Sequence, residues 1–153
     1  MNKIVFEENF NKSNGQPFIY KGKELKLSDR INMPSNKIAL IVTFVSTDSK
    51  WRQGIVLQTK GEFEINGQKI FNKIVLWEDT APKQVETIVK SKDNILFVFN
   101  VWNTGDETMH YGHNGGALNV EDVGGIRIYY CNDGYPDDDL NDLVFKLEFK
   151  RYN

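Results

Sequence analysis

The chain has 153 residues, 40% of them hydrophobic and 26% charged, a composition that suits one globular domain over residues 1–153 and argues against a disordered or fibrous chain. A formal net charge of −2, with no basic run and no aromatic-basic stripe, argues against nucleic acid as a partner. No stretch approaches the roughly 18–20 apolar residues of a membrane span, and the first ten residues lack the apolar core and cleavage site of a secretory leader. The expected location is therefore the cytoplasm, or beyond it by a non-classical route.

Only three alanines occur, whereas Val, Ile, Phe, Tyr and Trp are plentiful, a bias that disfavours helices and suits pleated surfaces. Period-two alternation predicts strands, in chain order, at 3–7, 18–20, 24–27, 37–45, 54–59, 62–65, 68–71, 73–77, 84–90, 94–102, 125–131 and 143–150, with a shorter one at 117–120. Asn66-Gly67 marks a two-residue hairpin, because both turn positions need φ > 0. The runs 37–45 and 94–102 are apolar on both faces and belong at the centre of a sheet. No sustained 3.6-residue period and no internal repeat is present. The predicted fold is all-β, a two-sheet antiparallel β-sandwich of roughly eight to twelve strands.

Cys131 is the sole cysteine, so no intramolecular disulfide forms, and its setting reads as a small buried strand-end residue. The Gly-rich stretch 103–124 is too long for an ordinary connection. It leads into the strand before the most acidic part of the chain and is expected to border the same site. Within it, His110 and His113, with Glu107, have a spacing that could chelate zinc, though without further ligands they read as surface residues. Trp77 and Trp102 end apolar strands and are expected to be buried; Trp51, between Lys50 and Arg52, is expected to be the most exposed tryptophan.

Residues 132–142 read Asn-Asp-Gly-Tyr-Pro-Asp-Asp-Asp-Leu-Asn-Asp, which puts five aspartates and two asparagines in one turn with no Lys or Arg. A hard cation such as Ca²⁺ takes 6–8 oxygen ligands at about 2.3–2.6 Å. Alternate residues of an extended segment point the same way, so Asp137, Asp139 and Asn141 can converge on one cation, with Asp133 and Asp142 closing it from the sides. Without a cation, carboxylates packed this closely raise one another's pKa. An EF-hand does not fit: position 6, which needs glycine, is Asp142, and the flanks are strands rather than helices.

The run Asn132-Asp133-Gly134 followed by Asp137-Asp138-Asp139-Leu140-Asn141-Asp142 resembles the loop of the bacterial calcium-dependent fucose/mannose-binding lectins. The likeness covers the loop and the last strand only. It differs at Pro136, an additional residue, and at Asn132 and Asn153, where that family has glutamate and glycine. The resemblance implies Ca²⁺ held by Asp133, Asp137, Asp139, Asn141 and Asp142, and sugar hydroxyls bound directly to it. It also implies a homodimer in which the terminal carboxylate of Asn153 reaches the neighbour's site. From its position at the tip of the turn, Tyr135 is expected either to pack against a ligand or to shape the turn. A looser resemblance links the loop to Asp-rich C-terminal modules of bacterial surface proteins. There a cation only braces the fold, and the chain would be a structural or protein–protein interaction module. No nucleophile, base or carboxylate pair in assignable roles is present, so the chain is expected not to be an enzyme.

Overall fold

The computed structural model describes residues 5–112 and 114–151. In chain order the elements are helix α1 (Phe6–Lys12) and strands β1 (Phe18–Tyr20), β2 (Lys23–Leu25), β3 (Asp29–Asn32), β4 (Lys37–Thr47), β5 (Arg52–Ile65), β6 (Gln68–Trp77), β7 (Gln84–Asn103), β8 (Ala117–Val123), β9 (Ile126–Asn132) and β10 (Leu143–Lys150). The fold is the expected all-β antiparallel sandwich. β1 and β2 form a two-stranded sheet, and the others form an eight-stranded sheet in the order β6-β5-β7-β4-β10-β9-β8, with β3 also pairing to β7. β4 and β7, which contain the two-sided apolar runs 37–45 and 94–102, occupy its middle.

One sheet supplies both layers because β7 changes partner along its length. Residues 84–90 pair with β4, residues 95–98 pair with β3, and β5 runs beside both parts. β5 shifts register between Thr59 and Gly61, at the bend. Gly61 is required there, since a Cβ would collide with the Lys90 carbonyl. The enclosed core includes Leu40, Leu57, Phe63, Leu96, Tyr129 and Phe145, each almost completely buried. Burial of each such side chain is worth about 1.5–3 kcal/mol. Tyr129 and Phe145 stack at 4.5 Å on neighbouring strands.

Several predicted strands merge. Runs 54–59 and 62–65 are one strand with a bulge, and 84–90 and 94–102 are one 20-residue strand. Runs 68–71 and 73–77 also join, through Asn72 in the left-handed region (φ 54°). Asn66 and Gly67, at φ 52° and 79°, make the expected hairpin turn. One prediction is corrected: within 3–7, the described part leads into helix α1 rather than a strand. Phe6 and Phe10, four residues apart, put two rings on one helical face. They bury with Leu25, Ala117 and Leu140 in a second, smaller core.

β3 was not predicted. Its sequence, Asp-Arg-Ile-Asn, has one apolar residue, and a buried charge network holds it. The Asp29 carboxylate, fully buried, accepts hydrogen bonds from Arg127 Nη2 (2.7 Å), Arg127 Nε (3.0 Å) and Tyr129 Oη (2.6 Å). Lys26 Nζ adds a contact at 3.2 Å. The network ties β3 to β9 across the sandwich. Removing one partner strands the others in a poorly solvated place. Asp29→Ala should therefore lower the unfolding free energy by about 3 kcal/mol, read as a lower urea midpoint at unchanged slope. A loss below about 1 kcal/mol would reduce the network to a surface ion pair.

Candidate metal centre

The acidic turn 132–142 joins β9 to β10, and sheet register decides what it meets. Leu143 lies opposite Cys131 on β9 and opposite Thr47 on β4, so the end of the turn abuts the β4–β5 loop. There the Asp48 N–H donates to the Asp142 carbonyl (3.1 Å), and the Asp142 N–H donates to the Cys131 carbonyl (3.0 Å).

Asn132 shapes the turn from within. Its amide donates to the Asp137 carbonyl and its side-chain oxygen accepts from the Leu140 N–H, both at 2.7 Å. Its own carbonyl accepts from Asn100 Nδ2 of β7 (2.8 Å). These bonds hold Leu140 in the left-handed region at φ 52°, an uncommon conformation for a branched side chain. The payoff is burial of Leu140 in the second core. Asp138 faces outward, gripped by Tyr20 Oη and Lys21 Nζ, each 2.9 Å from its carboxylate. Those donors hold it below the usual carboxylate pKa.

The structure divides the five predicted ligands. Asp137, Asp139 and Asp142 each offer an oxygen, and these three oxygens lie within 4.8 Å of one another. Oxygens on opposite sides of one Ca²⁺ are separated by about 4.6–5.2 Å, so the three can share a metal ion. Asn141 donates its amide to Asp48 (3.2 Å), which leaves its Oδ1 buried and unpartnered among the described residues. Asp137 Oδ1 is likewise buried without a partner. Buried acceptors without donors are uncommon in folded chains and fit a cation.

Asp133 sits behind the others. It is fully buried, and Ser49 Oγ and Gln53 Nε2 both donate to its Oδ2. Its Oδ1 accepts from the Tyr135 N–H (2.9 Å), and its own N–H donates to the Asp142 carboxylate (3.0 Å). In this arrangement Asp133 orients Asp142.

Electrostatics follow from packing acids in a partly dry site. Burial, then the neighbouring Asp139 and Asp133, pushes the Asp137 carboxyl up to about 6. Burial does the same to Asp142, up to about 8, with Asp133, Asp137 and Asp139 adding to it and the Asp133 N–H opposing. Burial also pushes the Cys131 thiol well up, which suits the inert role expected of it.

An open cleft of about 540 Å³ is lined by Tyr135, Asp137 and Asp142 of the turn and by Ser49, Lys50 and Trp51 of the β4–β5 loop. Tyr135 is 58% exposed and meets the half-buried Trp51 edge-on at 6.2 Å. Trp102 is buried; Trp77 is half-buried beneath the Arg52 guanidinium. The Gly-rich stretch borders the site as expected, since a Cβ on Gly115 would stand 2.5 Å from the Tyr135 carbonyl. A Cβ on Gly134 would stand 2.9 Å from the Trp102 indole.

His110 lies 3.1 Å from the Asp106 carboxylate, and His113 and Asn153 lie outside the described residues. Among the described residues, the aspartate triad is the only group of three or more such side chains close enough to share an ion. No helix among them is long and apolar enough to cross a membrane. Comparison with protein families, characterised proteins and solved structures gives no match to this chain.

The raised carboxyls have a measurable consequence. Between the unperturbed pKa of 3.8 and their folded values of about 6 and about 8, the folded chain holds protons that the unfolded chain has lost. Stability of chelator-treated protein should therefore fall as pH rises through this window and level off above it. Asp93, Asp106 and Asp138 are shifted the other way and act below the window. Thermal melts from about pH 4.5 to about pH 8.5 should show the fall, and added calcium should shrink it by favouring the ionised acids. A melting temperature that climbs across the window would mean that Asp137 and Asp142 titrate normally.

Proposed function

We propose that this chain is a non-enzymatic, calcium-dependent carbohydrate-binding protein. The observation that carries the reading is the pair of buried, unpartnered oxygens on Asp137 and Asn141 beside a cluster of three carboxylates, two of which, Asp137 and Asp142, line an open cleft. A solvated acidic turn would leave such oxygens to water. All the protein ligands are oxygens, which favours a hard cation, and Ca²⁺ tolerates the irregular geometry of a turn better than Mg²⁺ does.

The surroundings bear on what the cation would do. Asp139 is exposed and Asp137, which lines the cleft, is half-buried, so an ion held there would keep some of its coordination positions for water. Vicinal sugar hydroxyls replace two such waters at once, with the geometry fixed by the ring. Tyr135 stands at the cleft edge, where its ring can cover the apolar face of a sugar. The protein would supply placement and charge, with no covalent step.

One observation favours a second reading. Leu140 roots the turn in the second core, and Asp138 ties it to the β1–β2 turn, so a cation could act only as a brace between two cores. The chain would then be a structural or protein–protein interaction module.

Calorimetric titration of chelator-stripped protein with calcium separates these from a bare turn. Wild type should bind saturably. Asp139→Ala, at an exposed position, should stay folded and bind at least about tenfold more weakly. Retention on mannose or fucose resin, with release by chelator, would support the lectin reading. Calcium binding that raises the melting temperature, with no retention on either resin or on a glycan array, would leave the brace. No heat at millimolar calcium would remove both.

A further inference from the structure

We infer that the cleft beside the aspartates holds a second sugar subsite built on Trp51, so that the ligand is an oligosaccharide of at least two rings rather than a monosaccharide. The inference rests on the carbohydrate reading above and names its ligand class.

Two observations carry it. The first is size and shape. A cleft of about 540 Å³ falls within the roughly 300–1,000 Å³ of sites that enclose multi-ring ligands. It is lined by Asp137 and Asp142 of the acidic turn and, from the β4–β5 loop, by Lys50 and Trp51. A ring bridged by a cation at Asp137 and Asp142 and a second ring against Trp51 would both lie within this one cleft.

The second is the rigidity of Trp51. Its N–H donates to Ser49 Oγ (3.1 Å), and its carbonyl accepts from Gln53 Nε2 (3.2 Å). The same two side chains donate to the Asp133 carboxylate, and the Asp133 backbone N–H donates to the Asp142 carboxylate. Ser49 and Gln53 therefore hold the tryptophan and the acidic turn in one hydrogen-bonded frame. Tyr135, whose N–H is bonded to Asp133, props the indole edge-on. A tryptophan fixed at both backbone groups and left half-open to a cleft is pre-organised to cover the apolar face of a ring, at little entropic cost on binding. The cation would select hydroxyl geometry on one ring, and Trp51 would cover the next.

The test compares methyl α-mannoside with mannose disaccharides and trisaccharides on calcium-loaded protein, by calorimetry and tryptophan fluorescence. Wild type should bind the best disaccharide about tenfold more tightly than the monosaccharide. Trp51→Ala should lose that gain while keeping monosaccharide affinity within about twofold and calcium binding intact. Trp51→Phe should recover part of the gain. If Trp51→Ala no longer binds calcium, Trp51→Leu, which keeps bulk without a ring, carries the same comparison. Equal affinity for one, two and three rings would overturn the subsite and leave the lectin reading standing. So would a Trp51 variant that weakens all three equally. Calcium binding with no sugar bound, on these probes and on a glycan array, would sink both.

Discussion

The geometry of the acidic turn depends on one buried carboxylate. Asp133 has no exposed surface, yet every face of it is engaged: Ser49 and Gln53 on one oxygen, the Tyr135 N–H on the other, and its own N–H on Asp142. Charge-assisted bonds of this kind are shorter and roughly twice as strong as neutral ones, and their partners lose heavily when the acceptor is removed. The residue thus does three things at once. It closes the Gly134-Tyr135-Pro136 turn, locks the β4–β5 loop against it, and aims Asp142 at Asp137 and Asp139. The triad is the visible part of an arrangement whose order lies one layer deeper.

A second constraint comes from the other side. Leu140, held at positive φ by the Asn132 side chain, is inserted between α1 and the β1–β2 hairpin. Placing a branched residue there costs on the order of 1 kcal/mol, and burial of its side chain offsets that. The N-terminal segment and the C-terminal turn therefore stabilise each other across the whole length of the chain. The Glu7 N–H donating to the Asn114 carbonyl (2.7 Å) adds the Gly-rich stretch to the same assembly.

Sequence was informative where a pattern is local. Alternation located most strands, and two-sided apolar runs placed β4 and β7 at the sheet centre. It failed where the cause is distant. β3 has a single apolar residue and depends on Arg127 and Tyr129, almost a hundred positions away. Helix α1 is two turns long, too short to show a period, and is fixed by what Phe6 and Phe10 bury against. In the acidic turn, the oxygen-rich composition was legible. The division of labour was not, because Asp133 and Asp137 look alike in the sequence. Only the donors brought by the β4–β5 loop and the start of β5, 84 and 80 residues earlier, turn one into scaffold and leave the other with an unpartnered oxygen.

That division bears on why the acids are there at all. A turn kept only for solubility has no reason to bury its aspartates, because an exposed carboxylate gains full hydration and repels its neighbours less. Here Asp142 is almost wholly buried, and the chain accepts two carboxyls whose charged forms are disfavoured by burial. Such an arrangement is unfavourable at neutral pH by itself and becomes favourable when a divalent cation supplies the missing charge. The unfavourable part is also the part that faces the cleft, whereas the satisfied acid, Asp133, faces the core. Frustration placed at a surface opening, with the hydrogen-bonded Asp133 carboxylate behind it, is where a cation would relieve the most unfavourable charge.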